Sequence, residues 1–173
     1  MSSVAQTLAL RAPTRADRAR VDAIVTATGV FRPDERAIAL EVFDGAVARP
    51  GEDYHAIGAY DERDQLIGFA FYGPTPCTQN TWDLYWIAVD PGSQRHGTGR
   101  TIMDACERDM AARDGRLVVV ETSSRPDYEP TRRFYEALGY EQEARVRGFY
   151  APDDDLIIYT KRLTPSRSAS RHG

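Results

Sequence analysis

The chain's organisation turns on Val89-Asp90-Pro91-Gly92-Ser93-Gln94-Arg95-His96-Gly97-Thr98-Gly99-Arg100. Directly before it stands Leu84-Tyr85-Trp86-Ile87-Ala88-Val89, a run of apolar and aromatic residues that reads as a strand. After it, Ile102, Met103, Cys106 and Met110 recur at three- and four-residue spacing, the period of a helix. Pro91 stops the strand, and Gly97 and Gly99 let the backbone come close to a bound group. A helix that starts at such a turn presents amides without intrahelical acceptors and the positive end of its dipole. Arg95, His96 and Arg100 add positive charge beside it. Strand, glycine turn, helix and cations together predict a site for a phosphate or pyrophosphate.

Working outward, Val4 to Leu10 reads as a first strand. Thr14-Arg15-Ala16-Asp17 has the form of a capping box, followed by a helical stripe of Val21, Ile24, Val25 and Thr28 that ends near Gly29. Pro33 with Asp34 and Glu35 opens a second helix, carried by Ile38, Val42, Phe43 and Val47 and stopped before Pro50-Gly51. Tyr54 to Tyr60 and Leu66 to Tyr72 read as two strands joined by the polar turn Asp61-Glu62-Arg63-Asp64. Thr81 to Val89 is a fourth strand, and the helix after the glycine turn runs to about Arg113, where Asp114-Gly115 closes it. Leu117-Val118-Val119-Val120 has the continuous apolar character of a strand buried on both faces. Pro130 begins a short helix bearing Phe134, Tyr135 and Leu138, and Gly139 caps it. Tyr140 to Val146 and Leu156 to Lys161 form a final strand pair around Tyr150-Ala151-Pro152-Asp153-Asp154. Residues 1–163 are thus expected to make one mixed α/β domain, and the Ser/Arg-rich 164–173 a disordered tail.

Composition narrows the functions. At 173 residues and 42% hydrophobic the chain can bury a sizeable core. A net charge of −4 argues against nucleic acid or an anionic membrane as partner, since both select a basic face. No apolar run is long enough to span a bilayer, and no charged segment followed by an apolar core marks a secretion signal. Cys77 and Cys106 form no CxxC, and His55, His96 and His172 stand far apart, so no metal is expected. Cys106 falls on the apolar face of its helix, as a structural thiol does, and a reducing cytoplasm is the expected home. A homodimer is left open.

Three motifs compete for the glycine turn. A P-loop ends in Gly-Lys-Ser/Thr, whereas Gly99 is followed by Arg100 and Thr101. A dinucleotide fingerprint needs a small residue where Ile102 stands, although Glu121 could imitate its ribose-binding acid, which leaves a nucleotide-dependent oxidoreductase as a competing reading. The third fits best: Gln94-x-x-Gly97-x-Gly99 after Val89-Asp90-Pro91 resembles the coenzyme A loop of the GNAT N-acetyltransferases. Thr131-Arg132-Arg133-Phe134-Tyr135-Glu136-Ala137-Leu138-Gly139-Tyr140 resembles the same family's A-R-x-F-Y-x-x-x-G-F helix, with Tyr128 where an asparagine is common. The element order also follows that family from Leu8 to Leu163.

The resemblance implies a GNAT acyl-CoA N-acyltransferase fold: a central, mixed, mostly antiparallel sheet flanked by helices. It implies acetyl-CoA as cosubstrate and an amine as acceptor. Gln94, Arg95, His96, Gly97, Thr98, Gly99, Arg100 and Thr101 would hold the pyrophosphate. Backbone groups of Ile87, Ala88 and Val89 would pair with the pantetheine arm, and Tyr128, Arg132 and Tyr135 would complete the cofactor site. Tyr135 would be the acid toward the departing thiolate. Two carboxylates compete as base, Glu121 at the end of the valine run and Asp83 in the strand before the loop, with Glu121 favoured because an apolar setting raises a carboxyl pKa. The need for a base depends on the acceptor. Neutralising a lysine-like amine at pH 7 costs about 4.6 kcal/mol, an α-amine only about 1.4 kcal/mol. Trp82, Tyr85, Trp86, Phe149 and Tyr150 are candidates for an acceptor wall. The acidic run Asp153-Asp154-Asp155 reads as a solvated loop, or more sharply as a lure for a cationic amine. A non-catalytic acyl-CoA-binding module is the alternative, and it would need neither acid nor base.

Overall fold

The computed structural model describes residues 8–164, with the backbone course alone given for Gln94, Arg95 and His96. The first half of the expected first strand and the tail from residue 165 onward lie outside the described residues. The elements are β1 (Ala9–Arg11), α1 (Arg18–Thr28), α2 (Pro33–Ala48), β2 (His55–Tyr60), β3 (Leu66–Pro74), β4 (Thr81–Val89), α3 (Thr98–Ala112), β5 (Leu117–Ser123), α4 (Glu129–Ala137), β6 (Glu141–Ala151) and β7 (Asp154–Arg162). Short 3-10 turns precede α1, α3 and α4. The strands form one sheet in the order β1-β2-β3-β4-β5-β7-β6. β4 and β5 run parallel, while β1/β2, β2/β3, β5/β7 and β6/β7 are antiparallel. Among the described residues no helix is long and apolar enough to cross a membrane.

The described residues group into two compact units, one comprising 8–73 with 86–106 and the other 74–85 with 107–164. In the first, the capping box forms: Thr14 N–H donates to Asp17 Oδ2 at 2.7 Å. The same carboxylate accepts from the Tyr60 hydroxyl at 2.9 Å, tying the start of α1 to β2. Gly29 ends α1 in the left-handed region at φ 71°. The core gathers Val21, Ile24 and Val25 from α1, Ala39, Phe43 and Ala46 from α2, and Tyr60, Leu66, Phe69, Phe71 and Ala88 from the strands. Of the expected α2 stripe, Phe43 is buried and Val42 and Val47 pack against the core, while Ile38 departs from it. Ala39 and Ala46 are buried, and Ile38 is 50% exposed, because the small alanines let α2 lie close to the sheet. On the other face of β3, a Cβ on Gly68 would stand 2.9 Å from Ile102 Cδ1 and 3.2 Å from the Ala88 carbonyl. The close approach that a dinucleotide fingerprint assigns to a small residue on the helix is made here by a glycine on the strand.

In the second unit the parallel register runs from Thr81↔Leu117 to Leu84↔Val120. The valine run alternates: Val118 and Val120 are buried and Val119 is half-buried, so β5 is not covered equally on both faces. Glu107 accepts from Lys161 Nζ at 2.7 Å and from the Tyr140 hydroxyl at 3.0 Å, which fastens α3 to the β6–β7 hairpin. β6 is an edge strand, exposed from Glu141 to Phe149, and its register against β7 shifts between Gln142 and Ala144.

The end of α3 shows why its closing residues matter. Asp114 takes the left-handed conformation at φ 63°, and Gly115 N–H donates to the Met110 carbonyl at 2.8 Å. Asp114 N–H donates to Ala111, which completes a Schellman cap with aspartate, not glycine, in the left-handed seat. Gly115 is required for closeness instead: a Cβ there would stand 2.6 Å from the Met110 oxygen and 3.0 Å from the Trp82 ring. Gly115→Ala is therefore expected to lower unfolding free energy by about 1–3 kcal/mol. Gly29→Ala, where no atom crowds the added methyl, should lose only the left-handed backbone cost of about 1–2 kcal/mol. Urea midpoints of the two variants check the ranking.

Candidate functional site

In the first unit, the segment between β4 and α3 is built around Asp90. Its amide donates to the Ile67 carbonyl at 2.8 Å, and its Oδ1 accepts the Gly92 N–H at 3.0 Å. Arg20 of α1 clamps the same place, pairing with Asp90 Oδ2 and donating Nε to the Leu66 carbonyl at 2.8 Å. Nothing in the spacing of the sequence pointed to Arg20. Pro91–His96 then forms a 3-10 turn, tighter than the open glycine loop expected from sequence. Gly97, at φ 70°, redirects the chain into α3. Thr98 is fully buried, with its hydroxyl donating to the Ser93 carbonyl at 3.2 Å. Thr101 donates both N–H, at 3.0 Å, and Oγ1–H, at 3.2 Å, to the Gly97 carbonyl.

The side chains of Thr98 and Thr101 thus fix the loop's shape. Among the described residues the turn into α3 presents backbone: the amides of Thr98 and Gly99 come before the first intrahelical bond, at the positive end of a 15-residue helix. The Arg100 side chain is exposed beside them. Upstream, Ala88 and Val89 are buried and Ile87 half-buried.

The second unit holds the two carboxylates and the tyrosine. Asp83 lies opposite Val119 in the parallel register, and Glu121 is two residues further on, so Asp83 and Glu121 share one face of the sheet. Glu121 follows the last β4–β5 pair and reaches solvent. The packing around it still disfavours charge, and the Asp83 carboxylate adds to this, so its pKa lies above the ordinary glutamate value. Asp83 differs in being satisfied locally, accepting from Thr75 Oγ1 at 2.7 Å. Thr75, in the loop after β3, is a partner that sequence reading missed.

Tyr135 is buried, 5% exposed, with its ring against those of Phe134, Tyr140 and Tyr159 at 5.6, 5.8 and 6.1 Å. Burial, with a smaller contribution from Tyr128, raises its pKa well above the phenol range and keeps it protonated. Among the described residues its hydroxyl has no hydrogen-bond partner. Tyr128 is buried, with Arg125 over its ring at 5.0 Å. Arg132 donates Nη1 to the carbonyls of Ser123 at 2.6 Å and Arg125 at 3.0 Å, so it braces the turn after β5.

The acidic run is not a solvated loop. Asp154 opens β7, is 3% exposed and accepts the Ser123 hydroxyl at 2.5 Å. Asp155 accepts the Gly148 amide at 2.8 Å and Arg145 Nε at 2.6 Å, which hold its carboxyl below the usual range. Asp153 alone is left exposed at the hairpin tip. Of the aromatic candidates, Trp82 is core, Tyr85 and Phe149 are exposed, and Trp86 and Tyr150 are intermediate. Cys106 is buried and in no disulfide, and no cluster able to hold a metal is found among the described residues.

A sequence model described as the acetyltransferase (GNAT) domain matches residues 52–142. A GNAT-family protein from Desulfovibrio desulfuricans is 39% identical, with a TM-score of 0.87 over 91% of this chain and 100% of that one. The ribosomal-protein-S18-alanine N-acetyltransferase of Escherichia coli is similar in fold at 18% identity and TM-score 0.71, covering 96% and 100%. An aminoglycoside 6′-N-acetyltransferase complexed with coenzyme A is similar at 18% and 0.70, covering 91% and 98%. No curated protein matches the sequence significantly.

Proposed function

Because the chain belongs to the GNAT family of N-acetyltransferases, we propose that it moves an acetyl group from acetyl-CoA to a primary amine of a small molecule or a peptide N-terminus. The observation that carries this reading is the first turn of α3, where backbone amides precede the first intrahelical bond, Thr101 N–H to Gly97, beside an exposed arginine. That is a pyrophosphate seat made of main chain, and the strand entering it, Ile87–Val89, would pair with the pantetheine amides.

The reaction follows from the groups available. The neutral amine nitrogen attacks the thioester carbon, the C–S bond breaks, and coenzyme A leaves as thiolate. Glu121, whose raised pKa makes it a better proton acceptor than an ordinary carboxylate, takes the amine's proton through water. Asp83, on the same face, adds negative charge that favours a cationic acceptor. Tyr135 stands as donor to the thiolate. With a thiol near ~8.5 and the tyrosine above ~10, complete transfer is uphill by about 2 kcal/mol or more, so Tyr135 serves as a hydrogen-bond donor and the thiolate is protonated later from solvent. The proposed setting is the cytoplasm, where two cysteines outside any disulfide stay reduced.

The test is a screen in which purified protein, acetyl-CoA and a panel of amines are mixed and free thiol is followed. Thiol release that requires an amine is expected. Coenzyme binding with no release toward any amine would remove the catalytic roles proposed for Glu121 and Tyr135.

A further inference from the structure

In the first unit, one side chain ties together three parts of the chain that no local signal connects. Arg20 stands in the first turn of α1, a helix seated in the core by Val21, Ile24 and Val25. Its guanidinium donates Nε–H to the Leu66 carbonyl at 2.8 Å and Nη2–H to Asp90 Oδ2. The start of β3 and the end of β4 are thereby fixed to one helix. The Asp90 amide reinforces the junction by donating to the Ile67 carbonyl at 2.8 Å.

From Asp90 the connection continues to α3. Asp90 Oδ1 accepts the Gly92 N–H at 3.0 Å, and the Asp90 carbonyl accepts the Ser93 N–H at 2.8 Å. The Ser93 carbonyl in turn accepts the hydroxyl of Thr98, the buried first residue of α3, at 3.2 Å. A continuous run of hydrogen bonds thus leads from α1 to the turn whose Thr98 and Gly99 amides form the proposed diphosphate seat. Such a seat depends on aim, because a hydrogen bond weakens steeply as its angle closes. Arg20 is suited to setting that aim. Its planar fork holds two acceptors at a fixed spacing, which a lysine ammonium cannot do. The ion pair is partly buried, with side chains 27% and 26% exposed. Desolvation offsets much of what such a pair adds to stability. Asp90 also neutralises the guanidinium, so Arg20 supplies orientation and not attraction for phosphate.

Resting on the transferase reading, we infer that Arg20 is a positioning residue: acting through Asp90, it aims the first-turn amides of α3 at the diphosphate of acetyl-CoA without itself touching the cofactor.

Titration calorimetry with coenzyme A on the wild type, Arg20→Gln, Asp90→Asn and the double variant tests this. Each single variant should bind coenzyme A about tenfold more weakly. The double variant should lose no more than either single one, because both substitutions break the same link. Arg20→Lys, which keeps the charge but not the fork, should recover only part of the loss. Pantetheine, which has the arm but no diphosphate, should bind Arg20→Gln and wild type equally when titrated at high concentration. That comparison separates lost aim from general damage to the fold. Wild-type affinity for coenzyme A in Arg20→Gln overturns the inference. So do additive losses in the double variant, full recovery in Arg20→Lys, or an equal loss for coenzyme A and pantetheine. Failure of the wild type itself to bind coenzyme A would instead overturn the transferase reading beneath it.

Discussion

Tyr135→Phe is expected to lower kcat by about 100-fold while leaving acetyl-CoA affinity within about twofold, since a single neutral hydrogen bond contributes little to ground-state binding. The separation follows from the packing. The ring is held by Tyr140 and Tyr159, and phenylalanine keeps those contacts. The hydroxyl alone is removed, and it supports no other residue of the described structure. Stability should change little, because no protein hydrogen bond is lost. The pH dependence carries the second signature. Burial raises the Tyr135 pKa, so the group stays protonated through the alkaline range in which enzymes are assayed. The wild-type basic limb should therefore not belong to Tyr135, and the variant should keep the shape of the pH–rate profile at reduced height. Unchanged turnover in steady-state assays would remove the donor role.

Glu121→Gln should have the next largest effect, a fall of about 100-fold or more in kcat/KM toward an alkyl amine. Toward an α-amine the loss should be smaller, because less of that acceptor is protonated at neutral pH. A base must be ionised to act. Glu121 holds its proton to a higher pH than an ordinary glutamate, so the wild-type rate should rise through that raised pKa, and the limb should vanish in the variant. Asp83→Asn should shift the limb downward, since removing the neighbouring charge lowers the Glu121 pKa. An intact limb in Glu121→Gln would transfer the role elsewhere. Stability has the opposite sign. The folded pKa exceeds the unfolded one, so ionising Glu121 opposes folding as pH rises between the two values. Glu121→Gln should thus melt no lower than wild type at neutral pH.

Much of the frame was legible because its signals are local. Thr81 to Val89 was bounded by a loop and by Pro91, and the strand has those bounds. The Thr14–Asp17 capping box and the stop at Gly29 were likewise written in adjacent residues. What depends on pairing across the sheet was not legible. Asp154 and Asp155 look solvated in sequence, yet Ser123, Gly148 and Arg145 reach them from other strands or an earlier part of the hairpin. Ile38 has the right spacing for the core but lies outside it, because Ala39 and Ala46 set the depth of α2. The shared face of Asp83 and Glu121 follows from a register that no spacing reveals. Arg20 was missed because it orders segments far from it along the chain, and Thr75 because a loop threonine gives no sign in sequence that it turns back onto Asp83.

The irregular outer strand β6 has a consequence for how the protein keeps to itself at high concentration. Its exposed margin alternates Glu141, Glu143, Arg145 and Arg147, and the shift near Glu143 breaks the even spacing of main-chain donors and acceptors. An incoming strand would meet a kinked template and a row of charged side chains, so fibril-like stacking along that margin is disfavoured.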